Sequence, residues 1–288
     1  MPLRPLLAAL VVVLGLSGCD TEIAPTSADG RAFTVWGQRD PTTNRQAVRI
    51  DPIRATIDDE VPFEGTVTSV DLATGVETAW RDSLVTFPDG STGYVFLADY
   101  RPAYDSRVEL RVTQGGEVTT YARVTVPPRV APYFGALMVG ARNEIDLVLP
   151  GAPRVVAPRV VYGLLGRNAS TSAEGDEFLE VLPVPEGQIT SVEFGWRVRV
   201  DFTAQVETLR ARFLDREIRD FNATAVRVRV AVANEEWAAP FPFSFSRELV
   251  IQPGTVSNVR GGYGFLGAAY TVEAVLNLDE DTLRRIGL

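Results

Sequence analysis

The chain has 288 residues, 45% of them hydrophobic, and a formal net charge of −9, enough apolar mass for one large or two ordinary domains with true cores. It contains no histidine, and all 28 of its basic residues are arginine. This excludes Ser-His-Asp, Cys-His and Ser-Lys catalysis, Schiff-base chemistry and zinc sites of the usual His/Cys kind. The acidic balance argues against nucleic acid or anionic lipid as a partner, and the single cysteine leaves no internal disulfide.

At the amino terminus, Met1 to Arg4 carries one positive charge, and Leu6 to Leu16 is an apolar run. That run falls far short of the roughly 20 residues a helix needs to span a bilayer. It ends in Leu16-Ser17-Gly18-Cys19. This tetrapeptide resembles the bacterial lipobox, in which a branched apolar residue and two small ones precede a cysteine. The resemblance implies that residues 1–18 are a signal peptide cut before Cys19, that the Cys19 thiol is acylated, and that the new amino group is acylated as well. Two or three acyl chains satisfy the two-signal requirement for stable anchoring, at about 0.8 kcal/mol per buried CH₂. The plainer alternative is an ordinary secretory signal with a chance cysteine. Residues 19–30 are small and polar and read as a flexible tether.

From Phe33 onward, period-two alternation broken by turn residues every 8–12 positions predicts a mainly β body. Ser106 to Thr113 shows it: Val108, Leu110 and Val112 face one way, Arg107, Glu109 and Arg111 the other. Thr66 to Val70 and Glu117 to Val126 behave likewise, with turns at Ala73-Thr74-Gly75, Pro88-Asp89-Gly90 and Gln114-Gly115-Gly116. Pro127-Pro128 marks a boundary, because consecutive prolines break a sheet ladder. Residues 31–128 are therefore expected to form an immunoglobulin-like or prealbumin-like β-sandwich. Residues 129–288 are expected to form a second β-rich domain. Its strands are read over Ser191 to Phe202, Ala225 to Ala233 and Ala268 to Leu276, with an amphipathic helix of about four turns over Gln205 to Phe221. Pro150 to Pro158, Ala169 to Gly175 and the Pro-aromatic stretch Ala238 to Phe245 read as loops or irregular chain.

Gly262, Gly264 and Gly267 form a G-x-G-x-x-G pattern. Only 21 residues follow it, and Ala268 to Leu276 reads as a strand, so the dinucleotide context is missing. With Gly261 these glycines are expected to build a tight structural turn or bulge before the final strand. The acidic groups Asp58-Asp59-Glu60, Asp176-Glu177, Glu235-Glu236 and Asp279-Glu280-Asp281 lack EF-hand spacing and read as solvated loop charge. No metal, cofactor or catalytic residue is therefore expected. Trp36, Trp80 and Trp237 are candidates for an exposed sugar-binding surface, with core packing as the default. Asp82-Ser83-Leu84 and Asp281-Thr282-Leu283 match a short envelope O-glycosylation tripeptide.

Several stretches together resemble a family of uncharacterised lipoproteins of Bacteroidota and relatives, a domain of unknown function. They are the lipobox, Phe33-Thr-Val-Trp-Gly37 with Pro41 and Gln46-Ala-Val-Arg49, Asp71 to Gly75 through Phe87 to Gly90, and Ser257 to Ala268. Members are often encoded beside TonB-dependent outer-membrane receptors. The resemblance thus implies a non-enzymatic accessory or partner of such a receptor, with no catalytic residues to carry over. It also implies outer-membrane placement, since Asp20-Thr21-Glu22 after the cysteine suits surface export in such envelopes; under enterobacterial sorting Asp20 retains a lipoprotein in the inner membrane. The competing expectations are a stand-alone carbohydrate- or peptide-binding module and a carboxylate-dependent hydrolase.

Overall fold

The computed structural model describes residues 31–53, 62–87, 90, 92–140, 142–168, 176–214, 218–237 and 257–288. The signal peptide, lipobox and tether lie outside the described residues, as do the acidic run 58–60, the loop 169–175 and the Pro-aromatic stretch 238–245.

The described residues are mainly β, as the alternation predicts, and form three sheets and two short α-helices. The first half supplies β1 (Phe33–Arg39), β2 (Arg45–Pro52), β3 (Thr66–Asp71), β4 (Glu77–Ala79), β5 (Arg81–Thr86), β6 (Thr92–Asp99), β7 (Arg107–Gln114) and β8 (Glu117–Thr125). Then come β9 (Tyr133–Phe134), β10 (Glu144–Pro150), β11 (Arg154–Asn168), β12 (Asp176–Pro183), β13 (Ile189–Val192) and β14 (Gly195–Asp201). Helix α1 (Phe202–Leu214) leads to β15 (Ile218–Ala233), and the chain closes with β16 (Val259–Arg260), β17 (Gly262–Leu276) and helix α2 (Glu280–Ile286).

Two cores form. In the first, Val35, Ile50 and Phe96 from β1, β2 and β6 share one apolar cluster with Val108, Leu110 and Val112 of β7 and Val124 of β8. These residues belong to two different sheets, so the sheets face each other across the cluster. In the second, Val160, Tyr162 and Leu164 of β11 and Val226, Val228, Val230 and Val232 of β15 pack with Leu147, Val198 and Val200 from β10 and β14. Phe202, Val206, Leu209 and Phe213 of α1 and Ile286 of α2 join them. Each fully buried side chain of this kind contributes about 1.5–3 kcal/mol.

The chain passes from the first core to the second between Val126 and Val130, across Pro127-Pro128. Yet Val259, Leu266 and Ala268 return to the first core from the far end of the chain. A unit confined to residues 31–128 would lose the neighbours of two of its strands, because β16 pairs with β8 and β17 pairs with β1.

Several local expectations are corrected. Ser191 to Phe202 is a hairpin, not one strand: Ser191 pairs with Trp196 and Val192 with Gly195. The two-residue turn swaps the faces, so Trp196 and Val198 share a face with Ser191 and Ile189 while Val192 lies on the other, and Phe194 sits at the tip 75% exposed. Helix α1 begins at Phe202 and ends at Leu214, with β15 starting at Ile218. Asp201 Oδ1 accepts from the amides of Thr203 and Ala204 and so caps its start. Phe221 fits the helical spacing because it packs on Phe213 at 5.1 Å from within β15. The Pro150 to Pro158 loop is largely strand; β11 starts at Arg154 and carries Pro158 in a bulge, with Ala157 at φ +46° and a register shift between Val156 and Arg159.

Candidate functional site

The two cores meet at β17, and the glycine motif lies there. Residues Gly262 to Ala268 pair in parallel with Phe33 to Arg39 of β1, whereas Ala269 to Leu276 pair antiparallel with β15. β17 stands between β15 and β1 in the sheet order, so its two halves are paired along opposite edges. Only Gly261, at φ +67°, occupies the turn between β16 and β17; Gly262, Gly264 and Gly267 lie within the strand. The expected turn before Ala268 is thus mostly strand, because β17 begins six residues earlier than the alternation suggests. The glycines permit close approach. A Cβ on Gly264, whose φ is +111°, would collide with the backbone of Val35, and one on Gly267 with the indole of Trp237.

The edge of β17 opposite β1 is closed by side chains. Asn258 Nδ2 donates to the carbonyl of Leu266 (2.7 Å), while the Leu266 amide donates to Asn258 Oδ1 (2.9 Å). Asn234 closes the next pair along: its Oδ1 accepts from the Ala268 amide and its backbone N–H donates to the Ala268 carbonyl, both at 2.9 Å. Each asparagine stands in for a neighbouring strand and satisfies backbone groups of a buried segment. Farther along, the Tyr270 hydroxyl donates to the Pro128 carbonyl (2.7 Å) and accepts from the Val130 amide (2.8 Å), fixing the proline linker to β17. Burial pushes that phenol above its ordinary value.

The three tryptophans named as sugar-binding candidates are buried, so none offers an exposed ring: Trp36 is 9%, Trp80 7% and Trp237 3% accessible. Trp36 and Trp237 form a small third cluster with Phe265, Ala233 and Ala269, on the face of β1 and β17 away from the first core. The Trp237 and Phe265 rings meet edge to face at 5.7 Å.

Trp80 lies instead at one end of the first core, beside an unusual group. Arg39, the last residue of β1, is 0% accessible. Its guanidinium lies over the Trp80 ring, Cζ 4.3 Å from the centroid. Its Nε, Nη1 and Nη2 have no hydrogen-bond partner among the described residues. Burial pushes its pKa down, opposed by nearby Tyr100. Ser69 completes the group: its Oγ accepts from Trp80 Nε1 (2.6 Å) and lies 3.4 Å from the Tyr100 hydroxyl. An uncompensated buried charge costs several kcal/mol. Arg39 had a legible signal, because Phe33, Val35, Gly37 and Arg39 share one face of an alternating strand, which turns Arg39 inward with the core residues.

Elsewhere, ion pairs line the sheet surfaces. Glu109 of β7 is 4% accessible because the side chains of Arg111 and Arg123 close over it and bond both its oxygens. Burial raises the Glu109 carboxyl; the hydrogen bonds from Arg123 and Arg111 outweigh that and hold it below the ordinary value. Of the predicted acidic groups, Asp279 caps α2 by accepting the Thr282 amide (2.8 Å), and Glu236 accepts from Asn234 Nδ2 (2.7 Å). Among the described residues no group of three or more His, Cys, Asp or Glu is placed to hold a metal ion. Of the glycosylation tripeptides, one lies on edge strand β5 and the other in the first turns of α2, where Thr282 Oγ1 donates to Asp279.

Compared with known proteins, the sequence matches no family model and no curated protein.

Proposed function

We propose that this chain is a lipid-anchored protein of the cell envelope, without catalytic activity, held at the outer membrane through acylated Cys19. It acts there as accessory or partner to an outer-membrane TonB-dependent receptor, with the first core belonging to an immunoglobulin-like or prealbumin-like sandwich. The observation that carries the reading is Leu16-Ser17-Gly18-Cys19, placed directly after an apolar run too short to span a bilayer. The side-chain inventory supports the non-enzymatic part, since a chain without histidine or lysine has few routes to nucleophile activation.

Growth with an alkyne-tagged palmitate analogue tests the anchor. The full-length chain is expected to take up the label and sediment with outer-membrane markers, and Cys19→Ser to lose the label and become soluble. Recovery of unlabelled protein in the soluble fraction would refute the anchor. For the partnership, mild crosslinking in intact cells is expected to recover a TonB-dependent receptor; a panel of glycans and peptides that binds with no receptor recovered would favour a stand-alone binding module.

A further inference from the structure

We infer that Arg39 holds a small anion, of the size and charge of formate or chloride, inside the end of the first core. Three observations converge. The guanidinium is wholly buried, and all three of its nitrogens lack an acceptor among the described residues. One flat face is covered by Trp80 at 4.3 Å, which leaves the in-plane N–H donors as the groups needing a partner. That edge geometry matches two oxygens of a carboxylate, and it also suits a halide.

The third observation separates an anion from a water. Around the same indole, the polar groups are donors in excess: Trp80 Nε1 donates to Ser69 Oγ, and Ser69 and Tyr100 share one hydroxyl contact. That arrangement leaves one O–H to spare and no carboxylate. Buried water is stable where it makes two to four bonds, giving protons as well as receiving them. A water here would receive from Arg39 but carries no charge, so the buried guanidinium would stay uncompensated. An anion accepts only, and it cancels the charge that makes the bare site costly.

Arg39 is followed at once by the turn over residues 40–44. The Tyr100 to Ser106 loop reaches that turn through Arg101 Nη2, which donates to the Thr42 carbonyl (2.6 Å). Half-buried Tyr100 places the site beside solvent at this end of the core.

The test is thermal unfolding of the full mature chain at fixed ionic strength. Sodium gluconate, too bulky to enter, is replaced stepwise by sodium formate or sodium chloride. An anion that binds only the folded state raises the midpoint with its concentration. The expected result is a rise of several degrees in formate or chloride over gluconate, and a matching change in tryptophan fluorescence. Arg39→Met is expected to abolish the anion dependence while folding at least as stably as the parent in gluconate. Trp80→Phe, which keeps the charge, is expected to weaken apparent affinity several-fold. If the parent melts at one temperature in all three salts, the site holds no anion and the inference fails. An equal salt response in Arg39→Met would place any binding elsewhere and overturn it too. Should Arg39→Met not fold, the parent titration and Trp80→Phe decide the matter.

Discussion

Substituting alanine for Gly264 tests the idea that β17 holds the molecule together through backbone proximity. Gly264 sits at φ +111°, and an added Cβ would lie inside the Val35 carbonyl, 2.9 Å from its carbon and 3.0 Å from the Val35 nitrogen. All three atoms are backbone of the partner strand, so no side chain can turn aside. The unfavourable φ costs about 1–3 kcal/mol. Opening the Val35–Gly264 pair in the parallel ladder also removes two or three hydrogen bonds, at about 1 kcal/mol net each. The sum is about 4 kcal/mol, a large share of the 5–15 kcal/mol typical of a folded domain. At roughly 2–4 °C per kcal/mol for a unit of this size, Tm falls by about 10 °C. Circular dichroism melts and urea titrations measure it, with Gly75→Ala as the control. Gly75 also has positive φ (+71°), but an added Cβ there meets nothing within 4 Å, so only the conformational cost of about 1 kcal/mol applies. Equal losses in the two variants would refute the close-approach argument.

Asn258→Ala leaves the amide and carbonyl of fully buried Leu266 unpaired, which costs about 1–3 kcal/mol per group; hydrogen exchange is expected to accelerate at the Leu266 amide before it does in β7. Glu109→Gln is expected to flatten the acid side of the stability profile. The folded-state pKa of Glu109 is depressed, so its ionised form stabilises the fold above the unfolded value near 4.3, and that contribution is lost as pH falls through the lower folded value. With both arginines partly exposed, the neutral-pH loss is about 1–2 kcal/mol, read from urea midpoints between pH 3 and 7. Trp237→Ala removes the ring that faces Gly267 and Phe265 and is expected to cost about 3–5 kcal/mol; a loss under 1 kcal/mol by urea titration would show that this cluster does not help hold the seam.

The β character was legible because the chain writes it locally. Ser106 to Thr113 alternates cleanly and becomes β7, and Asp71 accepts from the amides of Ala73 and Thr74 in the turn read at that place. Boundaries failed where two structures share one pattern. The apolar spacing of Val192, Phe194 and Trp196 continues in sequence across a turn that swaps the faces, which hid the hairpin at Glu193-Phe194. A strand residue can lie on a helix's apolar face, which extended α1 to Phe221 on paper. The pairing of β1 with β17 was illegible, since nothing local marks a contact between residues more than 220 positions apart. The asparagine caps were hidden for the same reason, because Asn258 and Asn234 matter only once Leu266 and Ala268 lie beside them. Alternation alone places Glu109 in solvent; it took both neighbouring arginines to bury it.

The pairing of β1 with β17 also sets a timetable. A ribosome delivers Phe33 to Arg39 more than 220 residues ahead of Gly262 to Ala268, so the first core waits, without β16 and β17, until those strands emerge. Until then the Phe33 to Arg39 edge has only β2 beside it, and the chain stays open to whatever holds unfinished polypeptides. A strand made more than 220 residues later is the one that locks β1 in place.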